Sequence, residues 1–120
     1  MNKQIQILYK IFELELTPPF KLIRDDDYPH ADDIFNKHSE KIGWYDRDVK
    51  CFHMSYEKDM AILKKIKQVF GINRFSGDQL SIFEKQLSDW LQDKFPEKVL
   101  LARFIINANF KSEDPPYDLR

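Results

Sequence analysis

The feature that most restricts the fold is the run Lys98–Phe110, KVLLARFIINANF, near the end of the sequence. Every second residue from Leu100 to Phe110 is apolar, whereas the residues between them change from apolar to polar along the run. A period of two is typical of a β-strand, and the mixed second face indicates a strand covered on one side and half covered on the other. The run therefore predicts a central strand over 98–110, against which helices pack.

Two segments in the second half of the chain carry helix signals at both ends. Ser55 precedes an amphipathic stretch that Gly71 closes, and this predicts a helix over 56–70. Ser76 and Gln79 have the spacing of a capping box and predict a helix over 77–93. The apolar stripe of the second helix is Leu80, Phe83, Leu87, Trp90 and Leu91.

A third helix is predicted over 29–42. Pro29 is well placed to open it, Asp32 and Asp33 would suit the positive end of its dipole, and Gly43 would end it. Trp44 and Tyr45 would then begin a loop that runs to residue 48. Residues 49–54, VKCFHM, form a possible short strand.

The N-terminal stretch 4–16, QIQILYKIFELEL, fits two structures. Its apolar residues alternate on both sides of a phase slip, as in a strand with a bulge near residues 11–12. A helical stripe of Ile5, Leu8, Tyr9, Phe12 and Leu16 fits nearly as well. The ELEL ending favours the strand, and the following pair of prolines ends either element.

Together these elements predict an α+β fold. Residues 1–110 would form a single globular domain, with a short, mostly antiparallel sheet packed by three helices, and 111–120 would be a polar C-terminal tail. The alternative is an all-α bundle. The chain has no signal-peptide pattern, no apolar run of about 20 residues that could cross a bilayer, and only one cysteine, Cys51. These observations predict a cytoplasmic protein with no membrane partner.

The sequence offers little for catalysis. The scattered glycines exclude a phosphate-binding loop, and there is neither a paired-cysteine zinc motif nor HExxH. Cys51 and His53 share a strand face, which half-buried strands commonly show. His30, Asp32, Asp33 and His38 could be arranged around a metal, since His30 and Asp33 would lie one helical turn apart, but His38 fits a core-edge histidine better. We therefore expect no catalytic residue, no metal and no cofactor.

Two pairs of residues raise an enzymatic alternative. Arg24 with His30, and Arg47 with His53, both occur as Arg-Asp-x4-His. This pattern resembles the Arg-x(4–6)-His motif of the HEPN ribonucleases, whose Arg and His act on RNA across a dimer. The resemblance covers two residues in each copy, and it implies an RNA-cleaving toxin with the motif on a helix of an all-helical bundle.

A nucleic-acid-binding accessory protein is a second alternative. Its support is a basic cluster of Lys64, Lys65, Lys67 and Arg74, together with many aromatic residues. The formal net charge is −1, and lysines on the outer side of an amphipathic helix are usually a solvated face. We therefore do not expect direct nucleic-acid binding.

The acidic segment 25–33 is the feature that folding explains least. Five of its nine residues are aspartate, and Trp44 and Tyr45 follow closely. Clustered carboxylates repel one another unless they meet a cation or a basic partner, although a solvated acidic loop would tolerate them. We expect a small non-enzymatic protein-binding module, of the inhibitor, immunity-protein or antitoxin type, that neutralises a basic partner such as a nuclease toxin. The predicted contact residues are Asp25, Asp26, Asp27, Asp32, Asp33, Trp44 and Tyr45; the oligomeric state is not predicted.

Overall fold

Five strands form one sheet, and three helices accompany it in residues 2–95 and 101–103, which the computed structural model describes. The elements are α1 Lys3–Leu16, β1 Lys21–Arg24, β2 Ala31–Phe35, β3 Lys41–Asp46, β4 Cys51–Met54, α2 Tyr56–Phe70, α3 Gly77–Lys94 and β5 Leu101–Arg103. The strand order is β1-β2-β3-β4-β5, antiparallel throughout except that β5 runs parallel to β4. The predicted α+β class is confirmed, and the sheet excludes the all-α alternative.

Helix α1 replaces the strand predicted over 4–16, which is wrong. The side chain of Asn2 caps the helix by accepting a hydrogen bond from the Ile5 backbone N–H at 2.8 Å. The residues it buries follow a helical period: Leu8, Ile11, Phe12 and Leu16. One helical period accommodates all of these residues without the bulge that the strand required.

The hairpin β2–β3 replaces the helix predicted over 29–42, which is also wrong. Asn36 makes the turn, because its Oδ1 accepts the backbone N–H groups of His38 at 2.9 Å and Glu40 at 3.0 Å. Asparagine side chains that bind nearby backbone in this way compete with helix formation. Gly43, expected to end a helix, lies inside β3, as do Trp44 and Tyr45, which were expected in a loop.

The elements with strong local signals form as predicted. Ser55 caps α2, Gly71 ends it with φ of +65°, and strand β4 lies within the predicted 49–54. In the capping box of α3, the Gln79 N–H donates to Ser76 Oγ at 3.1 Å, and the Ser76 N–H donates to Gln79 Oε1 at 2.9 Å. The residues that α3 buries are the predicted ones: Leu80, Phe83, Leu87, Trp90 and Leu91.

Strand β5 covers a short part of the strand predicted over 98–110. Within the described sheet it lies at an edge beside β4, so the expected central position is wrong and β3 is in the middle. The Ala102 N–H donates to Ser88 Oγ at 2.9 Å, which ties β5 to α3. Residues 98–100 and 104–110 of the predicted strand, and the predicted tail 111–120, lie outside the described residues.

The core lies on one face of the sheet. Ile34, Tyr45, Phe52 and Met54 join a single cluster with the buried apolar residues of all three described helices. The opposite face, here called the outer face, carries Ile23, Asp33, Trp44, Asp46 and His53. No helix in the described part of the chain contributes to this outer face. The described helices are also too short or too polar to cross a membrane.

Candidate binding groove on the outer face of the sheet

A row of polar and aromatic side chains crosses the middle of the outer face. The strand register places Asp33 of β2 opposite Trp44 of β3, and Trp44 opposite His53 of β4. The Trp44 and His53 rings stack with centroids 4.3 Å apart and planes 20° from parallel. All three side chains are half-buried, because neighbouring strands surround them while no described helix covers them.

A groove of about 540 Å³ lies between this row and the loop that joins β1 to β2. We call it the hairpin groove, and its charged and aromatic lining consists mainly of Asp25, Tyr28, Asp33, Lys41, Trp44 and Asp46. Its volume is within the range of small-ligand pockets, roughly 300–1,000 Å³. Three carboxylates, the rings of Tyr28 and Trp44, the imidazole of His30 and one ammonium group therefore surround a single concave space.

Backbone and side-chain contacts hold the three carboxylates in place. Asp25 Oδ1 accepts the Asp27 N–H at 3.0 Å, and Asp46 Oδ1 accepts the Asp48 N–H at 2.9 Å. Asp33 Oδ1 lies 3.0 Å from Lys41 Nζ, which forms an ion pair on the wall of the groove. The carboxylates thus have fixed orientations, and one of them is already paired with a cation.

Arg47 holds the loop that forms the outer wall of the groove. Its backbone N–H donates to the His30 carbonyl at 2.8 Å, and its guanidinium donates to the Pro29 carbonyl. Arg47 Nε also lies 3.7 Å from Asp32 Oδ1. The His30 and Asp48 side chains approach to 3.1 Å, but both are more than half exposed, so this contact adds little stability.

The predicted contact residues divide into three groups. Asp25, Asp33 and Trp44 line the groove, and Asp26 and Asp27 are exposed in the loop above it. Asp32 and Tyr45 pair across the strands on the core face, where the Tyr45 side chain is only 4% exposed. Burial raises the pKa of Tyr45, and the carboxylates of Asp32 and Asp46 add to this effect. These two residues are therefore not part of the groove surface.

Six residues of the groove lining were not among the predicted ones: Tyr28, Pro29, His30, Ala31, Lys41 and Asp46. Trp44 and Asp46 are two positions apart, so a strand would have placed both on one face. That relation was hidden because residues 44–48 were expected to form a loop. Tyr28 and Lys41 reach the groove through the hairpin turn and the strand pairing, which no local pattern in the sequence specifies.

The residues of the other predicted sites are dispersed. Arg24, His30, Arg47 and His53 lie on strands and turns, whereas the resemblance to HEPN ribonucleases implies a helix. His30 and His38 lie beyond opposite ends of β2, and no group of three or more His, Cys, Asp or Glu among the described residues could hold a metal ion. Lys64, Lys65 and Arg74 are exposed on α2 and the turn after it.

Comparison of the chain with protein-family models, with curated proteins and with solved structures found no match in any of the three. Because a fold alone does not define a function, the chemistry of the site has to indicate what the protein does. The hairpin groove is the feature of the described structure that offers such chemistry.

Proposed function

We propose that this protein is a small non-enzymatic binding module that meets a basic protein partner at the hairpin groove. The observation that carries the proposal is the convergence of Asp25, Asp33 and Asp46 with Tyr28 and Trp44 around one concave surface. Inhibitors, immunity proteins and antitoxins that neutralise nucleic-acid-acting enzymes must recognise a basic surface, because the surfaces of such enzymes are basic. The single cysteine, Cys51, is buried and favours a reducing compartment, and we place the protein in the cytoplasm.

The charge arrangement supports recognition of a basic surface. Asp26 and Asp27 are exposed in the loop beside the groove and add to the carboxylates of Asp25, Asp33 and Asp46, whereas the cations Lys41 and Arg47 are ion-paired with Asp33 and Asp32. Such a field accelerates the encounter with a positively charged protein and repels acidic ones. The aromatic rings provide apolar contact area, and tyrosine and tryptophan often dominate the energy of protein interfaces.

RNA cleavage is supported less well by the same site. His30 lies beside Asp48, an arrangement that could orient an imidazole for general-base catalysis. The carboxylates of the groove, however, would repel the phosphodiester backbone of a bound RNA. The exposed His30–Asp48 pair is explained by its role in the loop that walls the groove.

The proposal is tested by affinity capture with the tagged full-length chain. We expect the wild-type protein to retain a basic protein in a one-to-one complex, measured by mass spectrometry and by size-exclusion chromatography with light scattering. Replacement of Asp25, Asp26 and Asp27 by Asn, or of Trp44 by Ala, should reduce the amount retained. Capture of the same partner in undiminished amounts by both variants would contradict the proposal.

A matched control changes three charges away from the groove. Lys64, Lys65 and Arg74 are exposed on α2 and the turn that follows it. Their replacement by Gln should leave capture of a basic partner intact or slightly stronger. Loss of capture in this control alone would instead assign the interface to the basic cluster and contradict the proposed site.

A further inference from the structure

We infer that the hairpin groove binds an arginine side chain of the partner, whose guanidinium replaces Lys41 at Asp33 and lies against Trp44. This inference rests on the proposed function and names the chemical group that the groove recognises. It is drawn from the shape of the groove, from the cation already present in it, and from the positions of its aromatic rings.

The groove already accommodates one cation of the chain itself. Lys41 Nζ lies 3.0 Å from Asp33 Oδ1, with side chains 50% and 20% exposed. Ion pairs with this degree of exposure contribute little net stability, so a partner cation can displace Lys41 at little cost. The pair shows that this wall of the groove suits a positive group, and Lys41 is flexible enough to leave it.

The other carboxylates are fixed but only partly used. The hydrogen bonds to Asp25 and Asp46 engage Oδ1, and Oδ2 of each has no hydrogen-bond partner among the described residues. Backbone N–H groups thus orient these carboxylates before a ligand arrives. A preorganised acceptor loses less conformational freedom on binding than a mobile one.

The aromatic lining favours guanidinium over ammonium. One ring surface of Trp44 is stacked on His53, and the side chain also borders the groove together with Tyr28. A planar guanidinium can lie on an aromatic ring while its N–H groups point to carboxylates at the rim of that ring. An ammonium cannot make both contacts with the same geometry. The groove is therefore better suited to arginine than to lysine.

The test uses the full-length protein and a blocked pentapeptide that carries one arginine between glycine and serine residues. A peptide with citrulline in place of arginine has nearly the same shape without the charge. Binding is followed by NMR through the indole N–H of Trp44, with Trp90, which is 4% exposed, as an internal reference. A Trp44→Phe variant assigns the two signals. We expect the arginine peptide to shift the Trp44 signal in a saturable way and the citrulline peptide to leave it unmoved.

The two halves of the ion pair provide the decisive variants. Asp33→Asn should weaken binding of the arginine peptide roughly threefold, and Lys41→Gln should strengthen it by a similar factor, because the first removes an acceptor and the second removes a competitor. A merely structural ion pair would make both variants less stable and shift affinity in the same direction. Thermal melts of both variants measure that stability separately.

The outcomes separate this inference from the proposed function. Equal shifts with the arginine and citrulline peptides, no shift with either, or affinity changes of the same sign in the two variants would overturn the arginine inference. Equal affinity for a lysine peptide would overturn it as well. If affinity capture still depends on the acidic loop after any of these results, the proposed function stands without it; if capture of a basic protein fails, the proposed function falls.

Discussion

Gly43 shows how a single residue fixes the strands that hold the groove. It lies in β3 opposite Ile34 and Met54, next to Trp44 in the sequence. A Cβ atom at this position would clash with the backbone carbonyl oxygen of His53. Glycine therefore permits the close approach of β3 and β4 that stacks Trp44 on His53.

Gly43→Ala should lower the free energy of unfolding by about 1–3 kcal/mol, because the added methyl group forces the two strands apart. Gly71→Ala is the control, since nothing lies within 4 Å of a Cβ there and only its φ of +65° is unfavourable. That left-handed conformation costs an alanine about 1–2 kcal/mol. Urea denaturation measures the free energy of unfolding of both variants. Unchanged stability of Gly43→Ala would contradict the close spacing of β3 and β4. Of the two variants, only Gly43→Ala should also alter the NMR signal of the Trp44 indole.

Glu40 links the β2–β3 turn to α2 through charge. Its Oε1 accepts hydrogen bonds from Lys58 Nζ and from Asn36 Nδ2, each at 2.9 Å. The hydrogen bond from Lys58 is the main cause that lowers the pKa of Glu40, followed by the one from Asn36. Its stabilising effect is therefore present above the ordinary carboxyl pKa of 4.5 and is lost as the pH falls through the lowered value.

Glu40→Gln should thus be less stable than the wild type at neutral pH, and the difference should shrink at an acidic pH below the lowered pKa of Glu40, where the wild-type carboxylate has taken up its proton. The side chain is 47% exposed, so we expect the difference at neutral pH to stay below about 1 kcal/mol. Urea denaturation at both pH values measures it. A difference of the same size at both would show that the charge of Glu40 is not what stabilises the turn.

At the scale of elements, α1 offers a direct test of helix against strand. In the strand predicted over 4–16, Phe12, Leu14 and Leu16 would share a buried face. In the helix, Leu16 is fully buried and Leu14 is 63% exposed. Leu16→Ala should therefore destabilise the protein by about 2–5 kcal/mol, and Leu14→Ala by less than about 0.5 kcal/mol. Equal losses in the two variants, measured by urea denaturation, would restore the strand.

The elements that the sequence predicted correctly are those whose signals lie within a few residues of each other. The caps Ser55 and Ser76, with the apolar stripe of α3, defined two helices almost to the residue. Even there, the caps of α2 do not define its buried face, in which Ile62 is fully buried whereas Val69 is 46% exposed. Local signals fixed the type of each element better than they fixed its orientation.

The incorrect elements are those in which two local signals competed. Pro29 and the aspartates after it resembled a helix start, whereas Asn36, and Ser39 with its φ of +60°, actually define a turn. The turn prevails because it allows Ile34 and Ile42 to reach the same core, where both are fully buried. That gain comes from residues distant in the sequence, and a short window cannot reveal it.

The residues of the groove show the same limit of prediction from short stretches of sequence. Asp25, Asp33 and Trp44 were identified from composition, because unusual residues are visible without knowledge of the fold. Their separation from Asp32 and Tyr45 depends on strand alternation, which places the latter pair on the core face. Asp46 joins the groove through the alternation of β3, and Lys41 joins it after the register shift between β2 and β3 at Ile34/Phe35, which is a property of the folded chain.

At the scale of the whole molecule, the described structure has two unlike sides. The buried apolar residues of the three described helices all pack towards one face of the sheet, and the hairpin groove opens on the other. A mutation in the groove is thus separated from the core by the sheet itself. This separation lets the binding surface be altered without loss of the fold, which the functional test requires.

A kinetic experiment extends the functional test and uses the partner recovered by affinity capture. If the carboxylates act by long-range steering, replacement of Asp25, Asp26 and Asp27 by Asn should slow association and flatten its dependence on salt. At physiological ionic strength the Debye length is about 8 Å, so wild-type association should slow steeply as salt is added. Stopped-flow mixing across a salt series measures both quantities.

Trp44→Ala should change the dissociation rate instead. The contrast between this variant and the triple Asn variant distinguishes electrostatic steering from retention of the bound partner. Loss of an aromatic contact should raise the dissociation rate roughly tenfold or more while leaving the salt dependence of association nearly unchanged. Carboxylates and ring would then have separate roles on one surface, the first in encounter and the second in retention. If the triple Asn variant kept wild-type association at every salt concentration and tight binding, the loop aspartates would be a solvated turn outside the interface.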